Sequence, residues 1–123
     1  MARILVIDDE TQIRAMLRRT LERAGYEVVE APDGKEGMRL FHEKPADLVI
    51  TDLIMPEMEG IQTIVELKRD FPAVKIIAIS GGGLMPADSC LEAAKPLGAI
   101  HAFRKPVQRG QLLAAIQNAI GGP

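Results

Sequence analysis

Three short runs of aliphatic residues most constrain the fold of this chain. They are RILVI at residues 3–7, LVI inside residues 47–52, and IIAI inside residues 74–80. Each run is almost continuous, which is typical of strands buried on both faces in a parallel sheet. None approaches the roughly 20 apolar residues that a membrane helix needs. The runs therefore predict a central sheet that is covered on both sides.

A helix is predicted between the first two strands, because apolar or small residues recur there at helical spacing: Ile13, Met16, Leu17, Thr20 and Leu21. Asp9 or Thr11 is expected to cap its start, and Gly25 stands where a C-cap is expected. Arginines lie off the apolar stripe and indicate a solvated face, or one that meets an acidic partner: Arg14, Arg18, Arg19 and Arg23.

The same alternation continues along the chain. A second strand is predicted at residues 26–31, and Asp33 is expected to cap a helix that runs to about residue 43. A third helix is predicted, with Ile61, Ile64 and Val65 on one side, and it ends before Pro72. The remaining predictions are a weak helix at 86–97 that ends at Gly98, a strand at 100–103 and a final helix from about residue 107.

Five strand–helix units with short connections predict an α/β fold. Such alternation favours a five-stranded parallel sheet with right-handed crossovers and five helices distributed over both faces. The length of 123 residues is close to the commonest size of one domain. No repeat or linker interrupts the pattern, so we expect a single domain over residues 1–123.

Composition excludes several functional classes. The net charge is -2 and the pI is near 5.7, so no basic field favours nucleic acid or an anionic membrane surface. The amino-terminal segment lacks the features of a signal peptide. The single cysteine, Cys90, cannot form an internal disulfide, which fits a reducing compartment. We therefore expect a cytoplasmic protein.

Polar residues follow the predicted strands at the ends where ligands bind in open parallel sheets. Asp8 and Asp9 come directly after strand one, and Asp52 ends strand three. Ser80 ends strand four, and Lys105 follows strand five. All five side chains are therefore expected at one edge of the sheet.

Three carboxylates in one crevice favour a hard divalent cation, and Mg²⁺ fits because it accepts carboxylate, water and phosphate oxygens. An ammonium group and a hydroxyl opposite the acids could hold a phosphoryl group. An aspartate can itself be a phosphoryl nucleophile and form an acyl phosphate. The residues thus predict magnesium-dependent phosphoryl chemistry.

The motifs ILVIDDE, DLVITDLIMPEMEG, KIIAIS and FRKP occur in this order at the predicted strand ends. With these motifs in this order, the chain resembles the receiver domain of two-component response regulators over its whole length. The resemblance implies the flavodoxin-like strand order 2-1-3-4-5. It also implies a switch whose helix 4, strand 5 and helix 5 change their affinity for a partner, as a monomer or as a phosphorylation-dependent dimer.

The resemblance implies a role for each site residue. Asp52 is similar to the residue that accepts a phosphoryl group from a histidine kinase or a histidine phosphotransfer protein. Asp8, Asp9, Asp52 and the backbone carbonyl of Ile54 match the Mg²⁺ ligands. Two further residues match groups that contact the phosphoryl group: the switch hydroxyl of Ser80, and Lys105 before a cis proline.

One departure from the family concerns the aromatic switch. The family usually has Tyr or Phe three residues before the lysine, where this chain has Ala102. Phe103 is expected to point to the opposite face of its strand, because side chains alternate. The aromatic rotamer switch of the family is therefore not expected in this chain.

Other functions are weighed against this one. A phosphorylation-independent interaction module with the same fold would explain Ala102, although the acids and the lysine are retained. A metal-dependent hydrolase with an aspartyl nucleophile would typically carry Asp-x-Asp and a cap domain, whereas Asp8 and Asp9 are adjacent. A DNA-binding regulator is the weakest alternative, because no basic patch is present. The downstream protein target is not specified by the sequence.

Overall fold

The computed structural model describes residues 1–53, 59–80 and 94–123. Within these ranges, five strands form one parallel sheet in the order β2-β1-β3-β4-β5. The strands are β1 (Arg3–Ile7), β2 (Glu27–Ala31), β3 (Leu48–Asp52), β4 (Ile76–Ser80) and β5 (Ala99–Arg104). The predicted strand order is confirmed.

Four helices have both ends inside the described ranges: α1 (Thr11–Arg23), α2 (Gly34–Glu43), α3 (Glu59–Asp70) and the C-terminal helix (Arg109–Ile120). Most of the helix predicted at 86–97 lies outside the described residues, and residues 94–97 at its end are helical. Of the described helices, none combines the length and apolar character needed to cross a bilayer, and the longest has 13 residues.

The two faces of the sheet bury two separate apolar clusters. Along β1, Leu5 and Ile7 face α2 and α3, whereas Ile4 and Val6 face α1 and the C-terminal helix. Strands β3 and β4 alternate in the same way, and every residue of both is buried. The prediction that the aliphatic runs are covered on both faces is confirmed.

Several local signals act where they were predicted. Asp33 precedes α2, and its side chain accepts a 2.8 Å hydrogen bond from the Glu36 backbone N–H. Gly25 follows the C-cap of α1 with a φ of 98°, and Gly98 has a φ of 124°. Glycine adopts this left-handed conformation without the steric cost of a Cβ atom.

Two predictions about α1 and α3 are wrong. Thr11 is already the first helical residue of α1, so the N-cap is Glu10 rather than Asp9 or Thr11. The Glu10 side chain makes no capping hydrogen bond. The Glu10 N–H instead donates to Asp8 Oδ1 at 2.8 Å. On α3, Ile64 is buried but Val65 is 45% exposed, because one residue advances about 100° around a helix. The inner stripe of α3 continues through Leu67 rather than Val65.

The arginines of α1 do not form a uniformly solvated face. Arg14 and Arg18 both pair with Glu30 of β2, at 3.4 and 2.7 Å. Arg18 also donates to the Val28 carbonyl at 2.9 Å. The prediction of a solvated face is therefore wrong for these two residues, because β2 brings a carboxylate and a carbonyl within their reach.

Candidate functional site

The carboxyl ends of four strands converge at one edge of the sheet, the rim. Asp8 follows β1, Asp52 ends β3, Ser80 ends β4 and Lys105 follows β5. Backbone bonds continue past the strand ends, since Lys105 N–H donates to the Ser80 carbonyl at 2.8 Å. Leu53 N–H likewise donates to the Ile79 carbonyl at 2.9 Å. The rim is therefore anchored to the hydrogen-bonded strands of the sheet.

Four acidic side chains meet at the rim: Asp8, Asp9, Glu10 and Asp52. Each offers a carboxylate oxygen, and these oxygens all lie within 4.8 Å of one another. Asp8 and Asp52 are buried, whereas Asp9 and Glu10 are exposed. This acid cluster thus has a buried half that is anchored to strands and an open half that faces solvent.

Lys105 is the cation of the acid cluster. Its Nζ lies 2.9 Å from Asp52 Oδ2, 3.1 Å from Asp8 Oδ2 and 3.0 Å from Glu10 Oε1. Its side chain is only 11% exposed. Burial alone lowers the pKa of Lys105, but the bonds to Asp52, Glu10 and Asp8 outweigh burial and raise it. Lys105 therefore remains charged, and its peptide bond to Pro106 is cis, as expected.

Asp8 is the most buried acid of the cluster. Burial raises the pKa of its carboxyl, and the bonds from Glu10 N–H and Lys105 offset this only in part. In the part of the chain that the structure describes, the Lys105 ammonium contacts three of the four carboxylates, so negative charge is in excess among these groups. The cluster is consequently suited to receive a further cation.

Ser80 is completely buried, and its Oγ has no hydrogen-bond partner among the residues that the structure describes. A buried hydroxyl without a partner is uncommon in folded proteins. Ser80 ends β4, and its neighbour Ile79 lies opposite Asp52 in the pairing of β3 with β4. Ser80 is thus a candidate hydrogen-bond donor to a group bound at the rim.

The donor set fits Mg²⁺. All four groups of the cluster are carboxylates, and Mg²⁺ prefers hard oxygen ligands. The excess negative charge gives the cation a favourable field, and the exposed acids leave room for water or phosphate ligands. Ile54, whose carbonyl was predicted as a further ligand, lies outside the described residues.

Two residues near the site were not predicted as part of it. Glu10 contacts Lys105. The run of three adjacent acids, residues 8–10, was the sequence signal that could have indicated this contact. Gly60, on α3, packs against the backbone of the site: a Cβ atom there would collide with the Asp52 carbonyl oxygen and lie 2.7 Å from Leu53 Cα. Its signal was the glycine that ends the predicted loop before the third helix.

The strand that leads to Lys105 has the predicted side-chain alternation. Ala102 packs against the cluster on the α2 and α3 side, and Phe103 packs against the opposite cluster. Phe103 therefore does not take the position of an aromatic residue at Ala102. The His101 and Phe103 rings stack, with centroids 6.1 Å apart.

Comparison with known proteins agrees with this architecture. Residues 4–117 match the family model described as the response regulator receiver domain. Chemotaxis protein CheY of Thermotoga maritima is 37% identical over 115 residues, which cover 93% of each chain. A response regulator receiver domain protein from Clostridium thermocellum superimposes with a TM-score of 0.89 at 38% identity, covering 98% of this chain and 94% of that one.

Longer proteins contain the same domain. Transcriptional regulatory protein GlrR of Escherichia coli is 35% identical over 119 residues, which cover 97% of this chain and 26% of that protein. The chain therefore spans about a quarter of GlrR and most of CheY. The match covers both the motifs of the rim and the strand order that brings them together. This chain belongs to the response regulator receiver domain family, the signalling domains of two-component systems.

Proposed function

We propose that this chain is a phosphorylation switch that accepts a phosphoryl group on Asp52 in a Mg²⁺-dependent reaction. The donor is a histidine kinase or a histidine phosphotransfer protein. The observation that carries the proposal is the position of Lys105 Nζ, which bridges the two buried acids, Asp8 and Asp52, inside a cluster of four carboxylates. Positioning and cationic charge are most of what phosphoryl transfer requires from a protein.

In this proposal Asp52 is the nucleophile. One of its carboxylate oxygens attacks the phosphorus of phosphohistidine, an O–P bond forms as the N–P bond breaks, and the imidazole nitrogen that leaves takes up a proton. Lys105 already lies 2.9 Å from Asp52 Oδ2 and would pair with the transferred group. Ser80 would donate its hydrogen bond to a phosphoryl oxygen, which supplies the partner that its buried Oγ lacks among the described residues.

Asp8, Asp9 and Asp52 would hold Mg²⁺, with the Ile54 carbonyl as a further predicted ligand. When bound, the cation supplies positive charge that offsets the charge on the phosphoryl oxygens. The protein's own part is to keep Asp8 and Asp52 buried and fixed while Asp9 remains open to solvent. We propose the cytoplasm as the location.

The output of the switch is a change in partner affinity. We propose that the surface formed by the predicted helix at 86–97, β5 and the C-terminal helix binds a downstream protein or a second copy differently in the two states. Lys105 follows β5 directly. A new contact between Lys105 and a phosphoryl group would therefore move the residue at the end of β5, which is part of this surface. A difference in affinity between two states is what couples the sites.

The test is the intact mass after incubation with acetyl phosphate, with and without Mg²⁺. Wild type should gain one phosphoryl group only when Mg²⁺ is present, and Asp52→Ala should gain none. Asp70→Ala is the matched control, because Asp70 is an aspartate at the far end of α3, and it should be labelled like wild type. Failure of wild type to be labelled, under conditions that label another receiver, would contradict the proposal.

A second candidate is a phosphorylation-independent interaction module. The observation that favours it is Ala102, with Phe103 packed on the opposite face. In that case partner binding would be the same before and after labelling, and the same for Asp52→Ala. A partner that distinguishes labelled from unlabelled protein would eliminate this candidate.

A further inference from the structure

Arg14, on the first turn of α1, contacts the backbone of the acid cluster. Its Nη1 donates to the Asp8 carbonyl oxygen at 2.6 Å. We propose that Arg14 is a positioning residue for Mg²⁺ binding, which it supports by fixing the peptide between Asp8 and Asp9. The inference rests on the proposed function, because it assumes that these two acids hold the cation.

The peptide groups around Asp8 are held at several points. Asp8 N–H donates to the Ala31 carbonyl at 3.2 Å, and Asp8 Oδ1 accepts from Glu10 N–H at 2.8 Å. The bond from Arg14 holds the Asp8 backbone carbonyl. That carbonyl belongs to the same planar peptide as the Asp9 N–H, so its orientation limits the direction in which Asp9 leaves the chain.

Arg14 is itself anchored. Its Nε lies 3.4 Å from Glu30 Oε1 on β2, and its Nη2 lies 3.4 Å from Thr11 Oγ1. Its side chain is 15% exposed, compared with 39% for Arg18, which shares Glu30. Arg18 donates to the Val28 carbonyl and has no described contact with the acid cluster. Of this pair, Arg14 is therefore the arginine that connects β2 to the cluster.

A purely electrostatic role and a positioning role of Arg14 predict opposite changes in Mg²⁺ affinity when Arg14 is replaced. A guanidinium near the cluster repels a divalent cation, so a purely electrostatic role predicts tighter Mg²⁺ binding in Arg14→Gln. A positioning role predicts weaker binding, because residues that orient metal ligands typically contribute about 10- to 100-fold in affinity. The direction of the change therefore distinguishes the two roles.

The experiment is calorimetric titration of MgCl₂ into the full chain at constant ionic strength. We expect Arg14→Gln to bind Mg²⁺ about 10-fold more weakly than wild type. Arg18→Gln is the matched control, with the same charge change and the same Glu30 partner, and should bind as tightly as wild type or more tightly. Arg14→Lys should also weaken binding, because an ammonium group cannot reproduce the fork between the Asp8 carbonyl and Glu30.

Labelling by acetyl phosphate supplies a second readout. Arg14→Gln should need more Mg²⁺ to reach half of its maximal rate, and should approach the wild-type rate at saturating Mg²⁺. If Arg14→Gln does not fold, Arg14→Lys tests the same contact: it keeps the charge, so a purely electrostatic role predicts unchanged Mg²⁺ binding and the positioning role predicts weaker binding.

The outcomes separate the two proposals. Mg²⁺ affinity of Arg14→Gln that equals or exceeds that of Arg18→Gln, with wild type binding normally, overturns the positioning role alone. Failure of wild type to bind Mg²⁺ overturns both the positioning role and the proposed function.

Discussion

Charged side chains at the rim and on the outer surface of α2 make similar contacts in different surroundings. At the rim, Lys105 is almost buried and is shared by several carboxylates. On α2, Arg39 is 58% exposed and pairs with Glu36 and Glu43, three and four residues away. Exposed pairs on a helix contribute little to stability because solvent screens them, whereas the rim holds excess negative charge where solvent screens it less.

The difference shows that burial, more than the number of ion pairs, decides how much uncompensated charge costs at each place. On α2 one guanidinium also faces two carboxylates, but all three side chains are exposed, so solvent screens the charge and each pair can be lost at little cost. The rim is unbalanced, and Asp8 carries a raised pKa because it is buried there. Functional sites commonly hold such unfavourable charge, at some cost in stability.

Lys105→Met is expected to have the largest effect. It leaves Asp8 and Asp52 buried without their shared cation, and removal of one partner from a buried ion pair costs about 3–5 kcal/mol. Arg39→Met is the surface control and should change the urea midpoint much less. Excess Mg²⁺ should recover part of the stability of Lys105→Met, since it neutralises the same acids. Equal losses in the two variants would contradict the contrast between rim and surface.

Gly60→Ala tests whether the backbone of the rim tolerates a side chain. The new methyl group would collide with the Asp52 carbonyl, so we expect a loss of about 1–3 kcal/mol in the free energy of unfolding. Gly110, on the C-terminal helix, has nothing within 4 Å of an added Cβ. Gly110→Ala should be neutral or stabilising by up to about 1 kcal/mol. The measurement is urea unfolding, and a neutral Gly60→Ala would refute the close packing.

Asp8→Asn should stabilise the fold in the absence of Mg²⁺. It removes one buried charge and can still accept the bond from Glu10 N–H, while Lys105 keeps Asp52 and Glu10 as partners. We expect a gain of about 1 kcal/mol at neutral pH. Asp33→Asn, at the N-cap of α2, should be nearly neutral because asparagine caps equally well. Added Mg²⁺ should stabilise wild type more than Asp8→Asn, so that wild type becomes the more stable of the two. A loss of stability in Asp8→Asn without Mg²⁺ would contradict the excess-charge interpretation.

The smallest effect is a pH dependence on the surface of α2. The bond from Arg39 lowers the pKa of Glu36 below its ordinary value of 4.5. A lowered pKa in the folded state gives stability that is present above 4.5 and is lost as the pH falls through the folded value. Glu36→Gln should therefore be slightly less stable than wild type at pH 7. The difference should shrink as the pH falls below 4.5, as measured by thermal unfolding, and a difference that grows on acidification would be inconsistent with this contact.

Much of the fold could be read from the sequence because its signals are local. The RILVI run predicted a strand buried on both faces, and Asp33 predicted the start of α2 to the residue. The rim could also be predicted, since parallel strands end at the same edge of a sheet and Asp8, Asp52, Ser80 and Lys105 each follow or end a strand. These inferences need only the periods of strands and helices.

What the sequence could not supply depends on residues that are distant along the chain. Glu10 and Lys105 are 95 residues apart, and they meet because the segments that follow β1 and β5 come together at the rim. The bonds of Arg14 and Arg18 to Glu30 require the strand that lies beside α1. The packing of α3 against the sheet determines that Val65 faces solvent and that Gly60 must lack a side chain.

The sequence by itself determined the order of strands and helices, the rim and the residue types gathered there, because period and strand direction are properties of the chain. The tertiary structure decided which of those residues touch, how deeply each carboxylate is buried and which charge lacks compensation. Those properties depend on distances between elements, and an amino-acid pattern contains no such distances.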